Sequence, residues 1–173
     1  MKKFLKIIAA VIFIGSVTAF VRIGGKEKSV LDVKAELEWI QTKDSVYYLS
    51  AKVSLINNSP DTIYYESMSC SWRDRYTINT DTMSIFGSFC KKNGPRNVAI
   101  LPYGTDARGI TLDNAKRNFV GLKFKMGFHF IRLKDEKGNP YGSLYKDTLI
   151  WSNEVEITKD IPVKYDAKFN PWW

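Results

Sequence analysis

An all-β fold, built as an antiparallel sandwich of about seven to nine strands, is predicted by three observations. Apolar and polar residues alternate with period two over long stretches, which puts them on opposite faces of a strand and would scatter them around a helix. Clusters of Asn, Asp, Ser, Gly and Pro punctuate those stretches at short intervals. No long segment carries the 3.6-residue apolar period of an amphipathic helix. The elements below are taken in chain order from the 173-residue sequence.

The chain opens on Lys2, Lys3 and Lys6, followed by the apolar run 7–14 and the small-residue stretch 15–19. Charge, then apolar residues, then a small-residue site is the order of a secretory signal peptide, with cleavage expected after Ala19. The rival reading is an uncleaved anchor. Residues 7–21 form 15 positions without a charge, against the ~20 that a spanning helix needs. Residues 20–29 (FVRIGGKEKS) read as a linker. The predicted sandwich occupies residues 30–158, and residues 159–173 form a C-terminal tail.

In residues 31–39, Leu31, Val33, Ala35, Leu37 and Trp39 share one parity, and Asp32, Lys34, Glu36 and Glu38 the other. This is a half-buried strand. After the polar turn 41–45, residues 46–56 alternate again, so the two strands are expected to pair as a hairpin. Tyr48 falls opposite the apolar face. Residues 57–61 (NNSPD) break the run, and 62–72 form a third expected strand with Cys70, Trp72 and Met68 on one face. Short strands follow at 76–78 and 83–86, around the turn 79–81. Further strands are expected at 97–101, stopped by Pro102-Tyr103-Gly104, and at 106–112. Within 118–133, Val120, Leu122, Phe124, Met126, Phe128 and Phe130 alternate with Gly121, Lys123, Lys125, Gly127 and His129. The last strand, 149–157, carries Trp151, Val155 and Ile157 on one parity.

Charge and cysteine usage narrow the function. Loss of residues 1–19 removes three Lys and no acid, lowering the net charge from +8 to +5. That is modest and unclustered, unlike the footprint of a nucleic-acid binder. Two cysteines in an oxidising compartment read as one disulfide, so Cys70 and Cys90 are expected to pair. The bridge would close a loop of about 20 residues, worth roughly 3 kcal/mol in the chain-entropy model. With His129 the only histidine and no second Cys pair, a zinc site is not expected. No G-x-S-x-G, H-E-x-x-H, phosphate-binding or dinucleotide-binding motif is present, and no catalytic residue, cofactor or metal is assigned. Asn57-Asn58-Ser59 matches a glycosylation acceptor, a triplet too common to carry weight.

Three strings carry a resemblance. Residues 53–63 (VSLINNSPDTI) resemble the first hairpin of many bacterial immunoglobulin-like modules, where a strand ends in Asn and a polar turn follows. Leu101-Pro102-Tyr103-Gly104 resembles the L-P-x-G turn of the same modules, including the BsuPI-type proteinase-inhibitor domains. Residues 151–157 (WSNEVEI) resemble the closing strand of small exported proteins. The resemblance covers residues 31–157 and implies an immunoglobulin-like sandwich. It departs from antibody-type domains, because Cys70 and Cys90 lie too close in sequence for their inter-sheet bridge, and fold analogy implies no inhibitor activity.

The expected role is therefore non-catalytic: a monomeric exported protein, periplasmic or at the cell surface, that binds or builds in the cell envelope. Its expected partner is a protein or glycan of the envelope, with no nucleic acid, and with membrane contact only through an uncleaved N-terminal segment. Arg73, Arg75, Lys91 and Lys92 cluster around the expected bridge and are the candidate contact residues. The alternatives are a small outer-membrane barrel and a hydrolase of envelope polymers. An aromatic end, Trp172-Trp173, suits the barrel, but Pro171 withholds a strand N–H. The favoured reading has the two indoles covering an apolar seam of the sandwich.

Overall fold

The computed structural model describes residues 29–87, 94–113, 119–131 and 147–171. Cys90, Lys91, Lys92, the expected signal segment 1–19, residues 20–28 and Trp172-Trp173 lie outside them. Ten strands are present among the described residues: β1 (Leu31–Gln41), β2 (Tyr47–Asn57), β3 (Ile63–Met68), β4 (Tyr76–Ile78), β5 (Ser84–Ile85), β6 (Pro95–Ile100), β7 (Thr105–Asp113), β8 (Lys123–Ile131), β9 (Asp147–Glu156) and β10 (Val163–Tyr165). They form three sheets, ordered β10-β1-β2-β7-β5, β3-β6 and β4-β8-β9. None closes into a barrel. All pairings are antiparallel except the short parallel ladder of β10 on β1.

The core follows from the alternation. Leu31, Val33 and Ala35 of β1, Leu49, Ala51, Val53 and Leu55 of β2, and Ile110 and Leu112 of β7 are buried on one face of the large sheet. Phe124, Met126 and Phe128 of β8 and Ile63 and Tyr65 of β3 are buried with them in one cluster. Burial of the Val, Leu, Ile, Met and Phe side chains among them is worth ~1.5–3 kcal/mol each. An aromatic group fills the centre: Phe128 lies 5.4 Å from Tyr65, edge to face, and 5.0 Å from Tyr76. These are favourable ring geometries.

Four departures from simple alternation have local causes. β8 starts at Lys123, because Gly121 takes φ +91° and turns the chain between Phe119 and Leu122. Val120 is consequently exposed. β3 ends at Met68, and Trp72 sits in a 3₁₀ turn, Trp72–Arg75, instead of continuing the strand. Tyr47, on the inward parity of β2, is exposed because the strand overruns the core, whereas Tyr48 packs on Phe169 at 5.4 Å. Finally, β9 carries an irregularity opposite Met126, since Lys125 pairs with Glu154 but Gly127 pairs with Trp151. The extra residue puts two β9 residues against one, buries Ser152 and leaves Trp151 exposed.

The same irregularity joins the sheets. Ser152 Oγ accepts the Met126 N–H at 3.0 Å. Asn153 then reaches β1, where its Oδ1 accepts from Ala35 N–H at 2.9 Å and its Nδ2 donates to Ala35 C=O at 3.1 Å. One side-chain amide thus supplies both bonds that a neighbouring strand would make. Farther along β1, β10 takes over this edge at Trp39–Gln41, so the expected tail contributes a strand. Its buried Ile161 belongs to the core.

Candidate functional site

The expected contact residues lie where β3 gives way to the 3₁₀ turn. Arg73 is only 4 % exposed. Its guanidinium lies over the Trp72 ring at 5.3 Å and donates to the Pro171 carbonyl at 3.2 Å, pinning the C-terminal segment. Burial lowers its pKa. Arg75 pairs with Glu66 Oε1 at 3.0 Å. Both side chains are thus engaged within the chain; Lys91 and Lys92 fall outside the described residues. No described cysteine is free, while the expected partner of Cys70 is also outside them.

Beside this turn is a polar cluster that sequence reasoning missed. Asp106 and Arg108 share the inward parity of Ile110 and Leu112 on β7. Asp106 Oδ2 accepts from the Tyr65 hydroxyl at 2.7 Å and from Arg108 at 3.3 and 3.4 Å. Arg108 also lies 5.6 Å from the Trp72 ring centroid. Burial pushes the Tyr65 phenol far above its ordinary value, and the hydrogen bond to Asp106 adds to the shift. Burial raises Tyr76 as well, with the Asp106 charge contributing. The available signal was two charges on the apolar parity of a strand. Such inward charges guard a strand where its edge is open, and their mutual bonds fit that structural part.

His129 stands apart on the outer face of the β4-β8-β9 sheet, with Nδ1 3.2 Å from Asp147 Oδ2. Among the described residues, no three His, Cys, Asp or Glu side chains are placed to hold a metal ion.

The opposite end of the sandwich is organised by Asn57. This side chain is 1 % exposed. Its Nδ2 donates to the carbonyls of Asp61, Ile100 and Leu101 at 2.7, 3.1 and 3.0 Å. Its Oδ1 accepts from Ser59 N–H at 2.9 Å and Ser59 Oγ at 2.7 Å. The buried, fully bonded amide is no glycan acceptor.

Asn57 thereby fixes the turn Leu101–Gly104, which closes with Gly104 N–H donating to Leu101 C=O at 2.9 Å. Pro102 presets the second position. Tyr103 occupies the third at φ 55°, the left-handed region that such a turn requires and that Gly or Asn fills without strain. Yet a tyrosine stands there, 70 % exposed, and Leu101 is 67 % exposed. Asn58 binds the incoming chain, its N–H donating to Val30 C=O at 2.9 Å and its Nδ2 to Ser29 C=O at 3.1 Å. Val30 is itself 51 % exposed. Beside it opens a cavity of about 300 Å³ lined by Ser29, Val30, Leu31, Ile63, Phe130, Thr148 and Ile150. A rigid apolar tip and an apolar cavity therefore share one end of the molecule.

No protein-family model matches this chain, and neither does any curated protein. Among the described residues, no helix is long and apolar enough to cross a membrane.

Proposed function

We propose that this protein is a non-catalytic exported module of the cell envelope, which binds its partner through one end of an immunoglobulin-like sandwich. The sheets support that fold: β1, β2 and β7 lie together in the largest, and residues of β3, β6 and β8 from the two smaller sheets are buried with theirs in one cluster. A Cys70–Cys90 bridge would tie the long β3–β6 connection to the end of β3.

One observation carries the binding reading. The Leu101–Gly104 turn displays two large apolar side chains on a backbone that includes a left-handed tyrosine. A non-Gly residue in that conformation costs of order 1–2 kcal/mol, and stability alone would place Gly or Asn at 103 and a polar residue at 101. Strain held in place by a buried hydrogen-bond hub points to a contact surface. Loops at one end of a sandwich are also where such folds carry binding. The contact residues are then Val30, Leu101 and Tyr103.

Hydroxyl-radical footprinting of the native protein in isolated envelopes, against the purified full chain, tests this. Protection of Leu101 and Tyr103 in the envelope supports the assignment; equal labelling in both samples overturns it. Intact mass before and after reduction and alkylation of the same preparation tests export and the bridge. Loss of residues 1–19, with alkylation only after reduction, is the expected result.

A further inference from the structure

We infer that the outer face of the β4-β8-β9 sheet is a glycan-binding platform, on which the Trp151 indole stacks against a neutral pyranose ring. The inference goes beyond the contact surface proposed above. It concerns a different face, shares no residue with the tip and stands or falls separately.

Two departures from regular sheet geometry put the indole there. On the parity of Val155 and Ile157, Trp151 would point into the core. The irregularity of β9 opposite Met126 instead buries Ser152 and turns Trp151 out to solvent. Bulges re-aim side chains in this way, and they are frequent beside functional sites. Across the ladders, Trp151 pairs with Gly127, and Gly127 with Thr77 of β4. The indole takes the space that a side chain at 127 would need, since a Cβ there would lie 2.9 Å from Trp151 Cζ3. The ring is thus seated over the sheet yet remains 41 % exposed. A tryptophan supplies large, rigid contact area at low cost in conformational entropy.

The surroundings of the ring select a sugar. Along the face, the β8-β9 ladder sets Lys125 beside Glu154 on one side of Trp151. On the other side, His129 Nδ1 lies 3.2 Å from Asp147 Oδ2. These groups include donors and acceptors, and a hydroxyl both donates and accepts. A nucleic acid or other polyanion would call for a run of cations instead. Area argues against a protein partner. Trp151 and Leu149 are the large apolar side chains exposed on this face among the described residues, whereas a stable protein interface covers ~800 Å² on each partner. One indole with one leucine suits the apolar face of a single pyranose. The C–H groups of that face carry slight positive charge and lie favourably on the electron-rich indole. The hydroxyls at the sugar's rim then point toward the flanking polar side chains.

Saturation-transfer difference NMR of the purified full chain with cellotetraose, tetra-N-acetylchitotetraose and mannotetraose tests the assignment, with titration calorimetry for affinity. At least one of these probes should bind with Kd at or below about 1 mM, and its strongest saturation should fall on the C–H protons of one pyranose face. Trp151→Ala should weaken that binding about tenfold or more, while Trp151→Phe, which keeps an aromatic ring on the face, should retain most of it. The wild-type spectra need no variant, so the inference stays testable even if Trp151→Ala folds poorly. Absence of binding by all three probes overturns the inference, and so does binding that Trp151→Ala leaves unchanged. Binding lost in a Leu101→Ser/Tyr103→Asn variant but kept in Trp151→Ala would place the sugar at the tip and overturn it as well.

Discussion

Replacing Asn57 by Ala removes donors to the carbonyls of Asp61, Ile100 and Leu101 and the acceptor for Ser59. Groups left unbonded in a buried site cost ~1–3 kcal/mol each, offset where water enters. Asn57→Ala should therefore lower the unfolding free energy by ~2–4 kcal/mol, read as a shift of the urea midpoint. Asn57→Asp is the sharper experiment. It keeps the acceptor for Ser59 but turns the donors into a carboxylate facing three carbonyls, so it should destabilise at least as much as Ala. An Asp variant as stable as wild type would show that the donors contribute nothing. In the sequence, Asn57 reads as one turn residue among several in NNSPD. Its bonds to Ser59 and Asp61 are local, but its part in joining the two turns depends on Ile100 and Leu101, more than 40 positions away, which no local pattern reports.

At the scale of elements, the β8-β9 pair decides how the sheets meet. A Cβ added at Gly127 would lie 2.7 Å from Thr77 Cγ2 and 2.9 Å from both Leu149 and Trp151. Gly127→Ala should cost ~1–3 kcal/mol by overpacking, measured by thermal or urea unfolding. Asn153→Ala tests the junction with β1. The Ala35 N–H and C=O would lose their partners, for a loss of ~1–2 kcal/mol. An uncovered edge also invites pairing with another chain, so this variant should associate as its concentration rises in light scattering while the wild type does not. The alternation of β1, β2 and β8 was plain in the sequence. The displaced register of β9 was not, because Trp151, Val155 and Ile157 keep an unbroken parity on paper. Only pairing with β8 reveals that Ser152 turns inward.

For the whole molecule, buried tyrosines link stability to alkaline pH. The Tyr65 and Tyr76 phenols are held above their ordinary value of 10.0. Below that pH both folded and unfolded chains keep the phenol protonated, and nothing is lost. As pH rises beyond about 10, the unfolded chain ionises while the folded one cannot, so the equilibrium moves toward unfolding. Urea midpoints should hold steady from about pH 8 and fall above about pH 10. Tyr65→Phe should make that fall shallower, although it leaves Asp106 one donor short. A midpoint independent of pH up to about 11 would contradict the burial of these phenols.

By itself the sequence determined the strand class, most strand positions, the turns at residues 57–61 and 101–104, and which face of β1, β2 and β8 is apolar. Those properties are local: period two and turn chemistry act within a few residues of the chain. Tertiary structure alone decided the rest. It buried Arg73 against Pro171, turned Asp106 and Arg108 inward onto Tyr65, and made a strand of the expected tail. It also left Leu101 and Tyr103 exposed beside the cavity at the Asn57 end. Each of these depends on which distant segments lie opposite one another, and burial and hydrogen bonding across that distance leave no periodic mark in the chain.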